Sequence, residues 1–459
     1  MRMDRAVGVI VLLLGAAAAA MLWLGLSLAG QDREPPQRGL VFETWQILYD
    51  TQAPSTGVLL IAIAIALFAA ALVTYVERLI ANKYRRSDNP AETPLAPKIV
   101  MAETFGVFHG PVTVTVLIPA HNEERNIANT IASLREQHDP PERIMVVADN
   151  CTDATEQIAH DAGVEVFRTV DNVHKKAGGL NQALARVLPD LGENDAVMVM
   201  DADTVLDQGY MAEAKRRMSD DRALMAVGGL FYGEPGSGLL GQYQRNEYTR
   251  YSRDIARRRG RVFVLTGTAS VFRSRALRTV AASRGTLLPG IPGEVYDTQA
   301  LTEDNEMTIA LKSLGALMVS PRQCRVVTEV MPTWRHLWHQ RLRWQRGALE
   351  NLGAYGVTQP TLRYWAQQLG IGYGVIALSS YIALIVIMVV SLDEWVWFPF
   401  WIGIGLVFMV ERIIGVWSST VKARLVAASL FPELLYATFL NVVFVKGVFD
   451  IVRAKKAQW

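Results

Sequence analysis

The chain has 459 residues, of which 51% are hydrophobic and 20% charged, with a formal net charge of +2. That near-neutral balance gives no case for a nucleic-acid partner. The hydrophobic share is high for a soluble enzyme and low for a chain that is membrane throughout.

The apolar residues gather at the two ends. Residues 1–84 are expected to hold two transmembrane helices, about 6–29 and 56–80, joined by an external loop, since about 20 apolar residues cross a bilayer. A cleaved signal peptide is the rival for the first, because Ser27-Leu28-Ala29 resembles a cleavage site. The length of the run and the second run soon after favour a retained helix. Arg2 and Arg5 before the first run, and Lys83, Arg85 and Arg86 after the second, put both flanks on the cytoplasmic side.

Residues 85–360 have globular composition and are expected to form a cytoplasmic catalytic domain. Cys151 and Cys324 make neither a disulfide framework nor a CxxC pattern, which suits a reducing compartment. Strand and helix patterns alternate: strands at Val112–Ile118, Arg143–Ala148, Val164–Thr169 and Ala196–Met200, helices at Glu123–Gln137, Thr152–Ala162 and Ala177–Val187. Alternation implies an α/β fold, a mostly parallel sheet with helices on both faces, whose ligands bind beyond the carboxyl ends of the strands. The polar clusters His121-Asn122-Glu123, Asp149-Asn150 and Asp201-Ala202-Asp203 fall there.

Asp201 and Asp203 follow the apolar strand Val197-Met198-Val199-Met200. Two carboxylates so close repel unless they share a cation, and hard oxygen ligands suit Mg²⁺ or Mn²⁺. Thr302-Glu303-Asp304 opens a helical stretch ending near Leu314, and reads either as a cap with acidic first-turn residues or as the source of a general base. In Gln340-Arg341-Leu342-Arg343-Trp344, residues Gln340, Arg343 and Trp344 share one helical face. An indole there can stack on a sugar ring, and an arginine can hold a diphosphate. His336 and His339 lack a third partner for a metal site, and the Arg257–Arg261 cluster reads as a solvated or lipid-facing surface.

Residues 361–459 are expected to hold an interfacial helix at 361–369 and spans at about 371–392, 395–410 and 425–452. Asp393-Glu394 would make a turn. Pro432, Glu433 and Lys446 interrupt the last stretch, and a full span there would put the basic tail Arg453, Lys455 and Lys456 outside. A re-entrant or interfacial piece is the alternative.

Ile118-Pro119-Ala120-His121-Asn122-Glu123-Glu124, Asp149-Asn150-Cys151-Thr152-Asp153, Asp201-Ala202-Asp203, Thr302-Glu303-Asp304 and Gln340-Arg341-Leu342-Arg343-Trp344 resemble, in order and spacing, the motifs of membrane-bound family-2 glycosyltransferases. That family includes the synthases of cellulose, chitin, hyaluronan and poly-N-acetylglucosamine. The resemblance implies a GT-A fold and an inverting, metal-dependent transfer from a nucleotide sugar. By it, Glu123 and Asp149 contact the nucleoside, Lys176 and Asp201 the donor, and Asp203 the metal. Asp304 is the base, with Glu303 and Thr302 beside it. Gln340, Arg343 and Trp344 shape the donor and acceptor site, and Thr266-Gly267-Thr268 resembles the acceptor loop. Asn150 departs from a common Asp-Asp pair.

No gating-loop motif follows Trp344, which favours smaller synthases resembling those of chitin or poly-N-acetylglucosamine, with UDP-N-acetylglucosamine as the first donor to test. The membrane part is short for a self-contained channel, so export would call for a homo-oligomer or a small membrane partner. Two rivals stand: transfer of one sugar to a lipid acceptor, and a non-catalytic sugar-binding or transport protein. Few charges in the spans and the absence of an internal repeat weigh against the second.

Overall fold

The computed structural model describes residues 55–107, 110–258, 260–390 and 399–455, a hairpin of strands β1 (Gln37–Val41) and β2 (Trp45–Tyr49), and helical pieces between residues 16 and 27. Most of the span expected at 6–29 lies outside the described residues, as does the expected turn at Asp393-Glu394. The chain divides into two compact units, residues 1–83 with 369–412, and 84–368 with 413–459.

In the first unit, α1 (Thr56–Arg86) continues past the end expected near Ile80. Its window Thr56–Val73 has mean hydropathy 2.8, and Ile63, Ile65, Phe68, Leu72 and Val73 are exposed. Such a surface needs an apolar medium rather than water.

The second unit begins with α2 (Pro97–Glu103). Its central sheet is then laid down by β3 (Thr113–Ala120), α3 (Ile127–Arg135), β4 (Arg143–Ala148), α4 (Thr155–Asp161), β5 (Glu165–Arg168), α5 (Lys175–Val187) and β6 (Asp195–Met200). Next come β7 (Val205–Leu206), α6 (Tyr210–Asp220), β8 (Leu224–Gly228), β9 (Leu230–Gly233), α7 (Gly238–Arg257), β10 (Ala269–Arg273) and α8 (Ser274–Ser283). The unit continues with α9 (Glu303–Ser313), β11 (Leu317–Val319), β12 (Arg325–Thr328) and α10 (Trp334–Tyr355).

Seven strands form one sheet in the order β11-β8-β10-β6-β3-β4-β5. β3 pairs in parallel with β4 and β6, and β4 with β5, whereas β10 runs antiparallel to β6 and β8. A small side sheet, β7-β12-β9, flanks it. Apolar clusters fill both faces of the main sheet. One is built around Leu117, Leu180 and Met307, the other around Ile118, Met198 and Tyr210. Helices on both faces of a largely parallel sheet with one reversed strand make a GT-A-like fold, as the sequence led us to expect.

The direction of β10 decides which residues gather at the sheet edge. The carboxyl ends of β3, β4 and β6 lie at one edge, and the amino end of β10 meets that edge where Ala269 pairs with Met200. Residues just before β10 therefore join residues just after the other three strands.

Toward the C-terminus, α11 (Leu362–Val390) and α12 (Pro399–Gly415) are followed by α13 (Val421–Ala428) and α14 (Leu430–Val452). Residues 362–369, expected as a separate interfacial helix, run unbroken into α11. The stretch expected as one span over 425–452 is two helices with a break at Ser429. Pro432 lies in the first turn of α14, where its missing N–H could not have served Ala428 in a continuous helix. α14 packs along α10, where Trp334 and Trp338 meet Phe439 at ring distances of 4.9 and 5.8 Å, and against α7, where Glu433 pairs with Arg250 at 3.5 Å. Its other face exposes Phe431, Leu435, Val442, Val445, Phe449 and Val452. Among the described residues three helices are long and apolar enough to cross a membrane: Thr56–Val73 within α1, Leu362–Val386 within α11, and α14.

Candidate active site

The shared edge collects the predicted residues that follow β3, β4 and β6, those of the loop before β10 and those at the start of α9. After β3 the chain turns sharply at Asn122, whose φ of +57° is a left-handed conformation that asparagine tolerates. The Asn122 side chain accepts from the Thr152 N–H at 2.8 Å, and the Glu123 N–H donates to Thr155 Oγ1 at 2.7 Å. These bonds tie the two loops together. Asp149, at the end of β4, is buried and accepts from Thr169 Oγ1 and Asn172 Nδ2, each at 2.8 Å. Asn172 Nδ2 also donates to the Lys175 carbonyl at 2.7 Å. Asn172, which sequence reasoning passed over, thus fixes both the Asp149 carboxylate and the start of α5.

Lys176, in the first turn of α5, is the centre of the site. Its ammonium donates to Asp201 Oδ1 at 2.6 Å and lies 2.7 Å from Glu303 Oε1. It thereby joins the β6 end to the first turn of α9. Opposite it, the Gly267 N–H donates to Asp304 Oδ2 at 3.1 Å, and the Thr268 carbonyl accepts from the Asp201 N–H at 3.1 Å. A Cβ at position 267 would stand 3.2 Å from the Lys176 nitrogen, so glycine lets the loop before β10 close onto the site. A cavity lined by Lys176, Gly267, Tyr296, Glu303 and Asp304 opens here. Tyr296, also missed in the sequence, is held by Asn181, whose Oδ1 accepts from the Val295 and Tyr296 N–H groups at 3.1 and 2.8 Å.

The surroundings shift the acidic groups in different directions. Burial raises the Glu303 carboxyl, but the Lys176 ammonium overcomes this and holds it below the usual range. Burial, reinforced by the Glu303 charge, pushes Asp304 up to about 6. Burial, with Asp201 and Glu123 nearby, pushes Asp203 up to about 7. Glu123 is raised too, chiefly by burial. Asp201 and Asp203 therefore have unlike surroundings: Asp201 already has Lys176 as its counter-charge, whereas Asp203 faces further carboxylates and only the hydroxyl of Thr204, at 3.2 Å. Among the described residues no three His, Cys, Asp or Glu side chains form a ready cage for a metal.

From α10, Arg343 reaches the same region, while Trp344 lies against Arg341 of its own helix, 4.3 Å from the guanidinium carbon to the ring centre. Arg343 acts electrostatically on Asp201, Glu303 and Lys175. Gln340 Oε1 is buried and has no hydrogen-bond partner among the described residues. The helix is pressed onto the start of α9: a Cβ on Gly347 would stand 2.5 Å from Thr302 Oγ1, and Asn351 Nδ2 donates to the Thr302 carbonyl at 3.2 Å and to Asn305 Oδ1 at 3.0 Å. His336 Nδ1 lies 2.8 Å from Thr333 Oγ1 at the helix start. Cys324 is buried, while Cys151 is half-buried.

Residues 115–281 match the family model described as glycosyl transferase family 2. The chain carries a family-2 glycosyltransferase domain. Among curated relatives, the poly-beta-1,6-N-acetyl-D-glucosamine synthase of Staphylococcus epidermidis is 28% identical over 250 residues, which are 52% of this chain and 55% of that protein. The synthase of the same name from Staphylococcus aureus is 26% identical over 248 residues, with the same coverage. The chain thus spans about half the length of the curated relatives it matches, and the family-2 domain is related to those of polysaccharide synthases. Solved structures similar to the chain include a mannosyltransferase from Pyrobaculum calidifontis in complex with GDP-Man and Mn²⁺. It is 17% identical, covers 86% of this chain and 99% of that one, and has a TM-score of 0.48. A glucosyl-3-phosphoglycerate synthase from Mycobacterium tuberculosis in complex with Mn²⁺, UDP and phosphoglyceric acid is 18% identical over 57% of this chain and 83% of its own, with a TM-score of 0.36.

Proposed function

We propose that the protein transfers a sugar, with inversion, from a nucleotide-sugar donor to a growing polysaccharide, with Asp304 as general base. The observation that carries this is the convergence of Lys176, Asp201, Glu303, Asp304 and Gly267 at the sheet edge. In our reading Glu123 and Asp149 hold the nucleoside, and Lys176, Asp201 and Arg343 the donor diphosphate. Gln340 offers its free amide oxygen to the donor, and Trp344 stacks on the acceptor sugar beside Thr266, Gly267 and Thr268. Asp304 takes the proton of the attacking acceptor hydroxyl. Glu303 stays ionised on Lys176 and keeps the base oriented, while Thr302 stands at the start of the helix that carries both and accepts from Asn351.

Mg²⁺ or Mn²⁺ fits this site. Asp203 is crowded by carboxylates with no cation of its own, which supports it as the chief protein ligand, with Asp201 at its side. One carboxylate together with donor phosphates is an ordinary way to bind Mg²⁺. When bound, the metal would neutralise charge on the departing nucleoside diphosphate.

The relatives named as poly-beta-1,6-N-acetyl-D-glucosamine synthases support UDP-N-acetylglucosamine as the donor to try first. The apolar helices support a multi-pass protein of the cell membrane, and the basic residues Lys83, Arg85 and Arg86 support residues 85–360 in the cytoplasm; export of the product would then run through a homo-oligomer or with a small membrane partner. Transfer of one sugar to a lipid acceptor is the second reading, favoured by the exposed apolar face of α14 within the catalytic unit. A panel of radiolabelled nucleotide sugars, given to the full chain purified in lipid, tests the proposal. Transfer from one donor is the expected result. No transfer or donor hydrolysis with any of them would leave a sugar-binding protein.

A further inference from the structure

We propose that Arg341 positions the Trp344 indole for transfer, and that Glu247 and Tyr436 act through it as positioning residues; this rests on the assignment of Trp344 to the sugar site. The side chain of Arg341 is 6% exposed. Its Nη2 donates to Glu247 Oε2 on α7 at 2.9 Å, and the Tyr436 hydroxyl on α14 donates to the same oxygen at 2.6 Å. The guanidinium carbon lies 4.3 Å from the centre of the Trp344 ring and 5.6 Å from that of Tyr248. Three helices thus meet at one cation, and that cation is stacked on the indole.

A guanidinium is suited to this because it is planar: its edge donates to a carboxylate while its face lies on an aromatic ring. The carboxylate fixes the plane, and the plane limits the tilt of the indole. The Tyr436 hydroxyl shares the Glu247 oxygen and fixes the carboxylate in turn. The Tyr436 ring is itself stacked on Tyr243 at 5.1 Å, so the hydroxyl is held in place without help from the site. A mere helix anchor would need only the charge pair. A positioning device needs the plane as well.

That difference makes the test. The full-length chain in lipid nanodiscs is given UDP-N-acetylglucosamine, and sugar transferred and UDP released are both measured for wild type, Arg341→Lys, Tyr436→Phe, Trp344→Ala and the double variant R341K/W344A. Lysine keeps the charge opposite Glu247 and loses the plane. Phenylalanine keeps the stacked ring and loses the hydroxyl. We expect Arg341→Lys to keep UDP affinity and its thermal midpoint while the ratio of sugar transferred to UDP released falls about tenfold, since a small misplacement of a positioned group costs rate steeply. Tyr436→Phe shows a smaller fall of the same kind and covers the case in which Arg341→Lys does not fold. The double variant is no worse than Trp344→Ala, because one residue acts through the other. A wild-type ratio in both single variants, or additive losses in the double, overturns the proposal alone. If wild type transfers no sugar from UDP-N-acetylglucosamine, the donor that the panel identifies takes its place; a wild-type chain that transfers sugar from none of them overturns the site assignment and this proposal with it.

Discussion

Glu303 and Asp304 are neighbours in one helical turn, yet the structure drives them apart. Lys176 stabilises the charge on Glu303, and burial beside that charge raises Asp304. Two carboxyls with opposed shifts divide into a fixed anion and a proton acceptor. Asp304→Asn is therefore expected to keep donor affinity in calorimetry while turnover falls by roughly 10²–10⁴; unchanged turnover would reassign Asp304 to capping α9. As the proposed base, Asp304 must be ionised to act, and its pKa is raised, so kcat/KM should fall as pH drops below about 6 and level off above it. That limb should vanish in Asp304→Asn. For the metal, chelation should abolish transfer and Mn²⁺ or Mg²⁺ should restore it, but not in Asp203→Ala; full activity of that variant in excess chelator would remove the metal from the mechanism. Much of this set was legible because Asp201 and Asp203 follow an apolar strand, and because Thr302-Glu303-Asp304 sits before a helix. Asn172 and Arg341 were not. Each works through a partner distant in sequence, Asp149 for one and Glu247 for the other, and a lone asparagine or arginine carries no periodic signal of that.

Between elements, the site depends on how α10 meets α9. Gly347 lets the helices touch, Asn351 bonds the cap of α9, and the buried pair Arg284–Glu306 anchors the next turn, with the Tyr355 hydroxyl donating to the same carboxylate. Gly347→Val would drive a branched side chain into Thr302, and overpacking of this kind costs about 1–3 kcal/mol. Gly353 lies on the same helix with open space around its Cβ position. Gly353→Ala should instead stabilise by about 0.4–1 kcal/mol. Denaturation midpoints read both, and transfer should fall in the first variant only. Equal midpoints for the pair would show that the close approach is not a constraint. Arg284→Met leaves Glu306 buried and uncompensated, a loss of about 3–5 kcal/mol. The strands around the site were readable where the pattern is plain: the strand expected at Arg143–Ala148 is β4, residue for residue, and that at Ala196–Met200 is one residue short of β6. β8 and β10 were not named. Both are buried at every position, so neither shows the alternation that marks a half-exposed strand. The reversed direction of β10 has no sequence signature, although it delivers the Gly267 loop.

At the scale of the molecule, the apolar helices and the catalytic unit raise the question of what receives the sugar. If residues 85–360 are cytoplasmic, single cysteines placed there in a cysteine-free chain should resist an impermeant reagent added outside intact cells; efficient labelling would reverse the topology. The acceptor is decided by different evidence. α14 lies against α10, the helix of Gln340, Arg343 and Trp344, and packed helix axes are about 8–10 Å apart. Its far side is a row of exposed apolar residues from Phe431 to Val452. The helix proposed to bind the sugar therefore sits one helix away from a surface suited to lipid, where a growing chain could pass to a membrane channel or a lipid acceptor could approach. The relation to polysaccharide synthases and the full Gln-Arg-Leu-Arg-Trp sequence favour the chain. Incubation of the purified protein in lipid with UDP-N-acetylglucosamine should then give a high-molecular-weight product that a glycosidase for that linkage degrades. A single-sugar product that extracts into organic solvent would refute processivity. It would leave the roles proposed for Lys176, Asp203 and Asp304 standing, because those roles concern the donor and the attacking hydroxyl whatever molecule carries it.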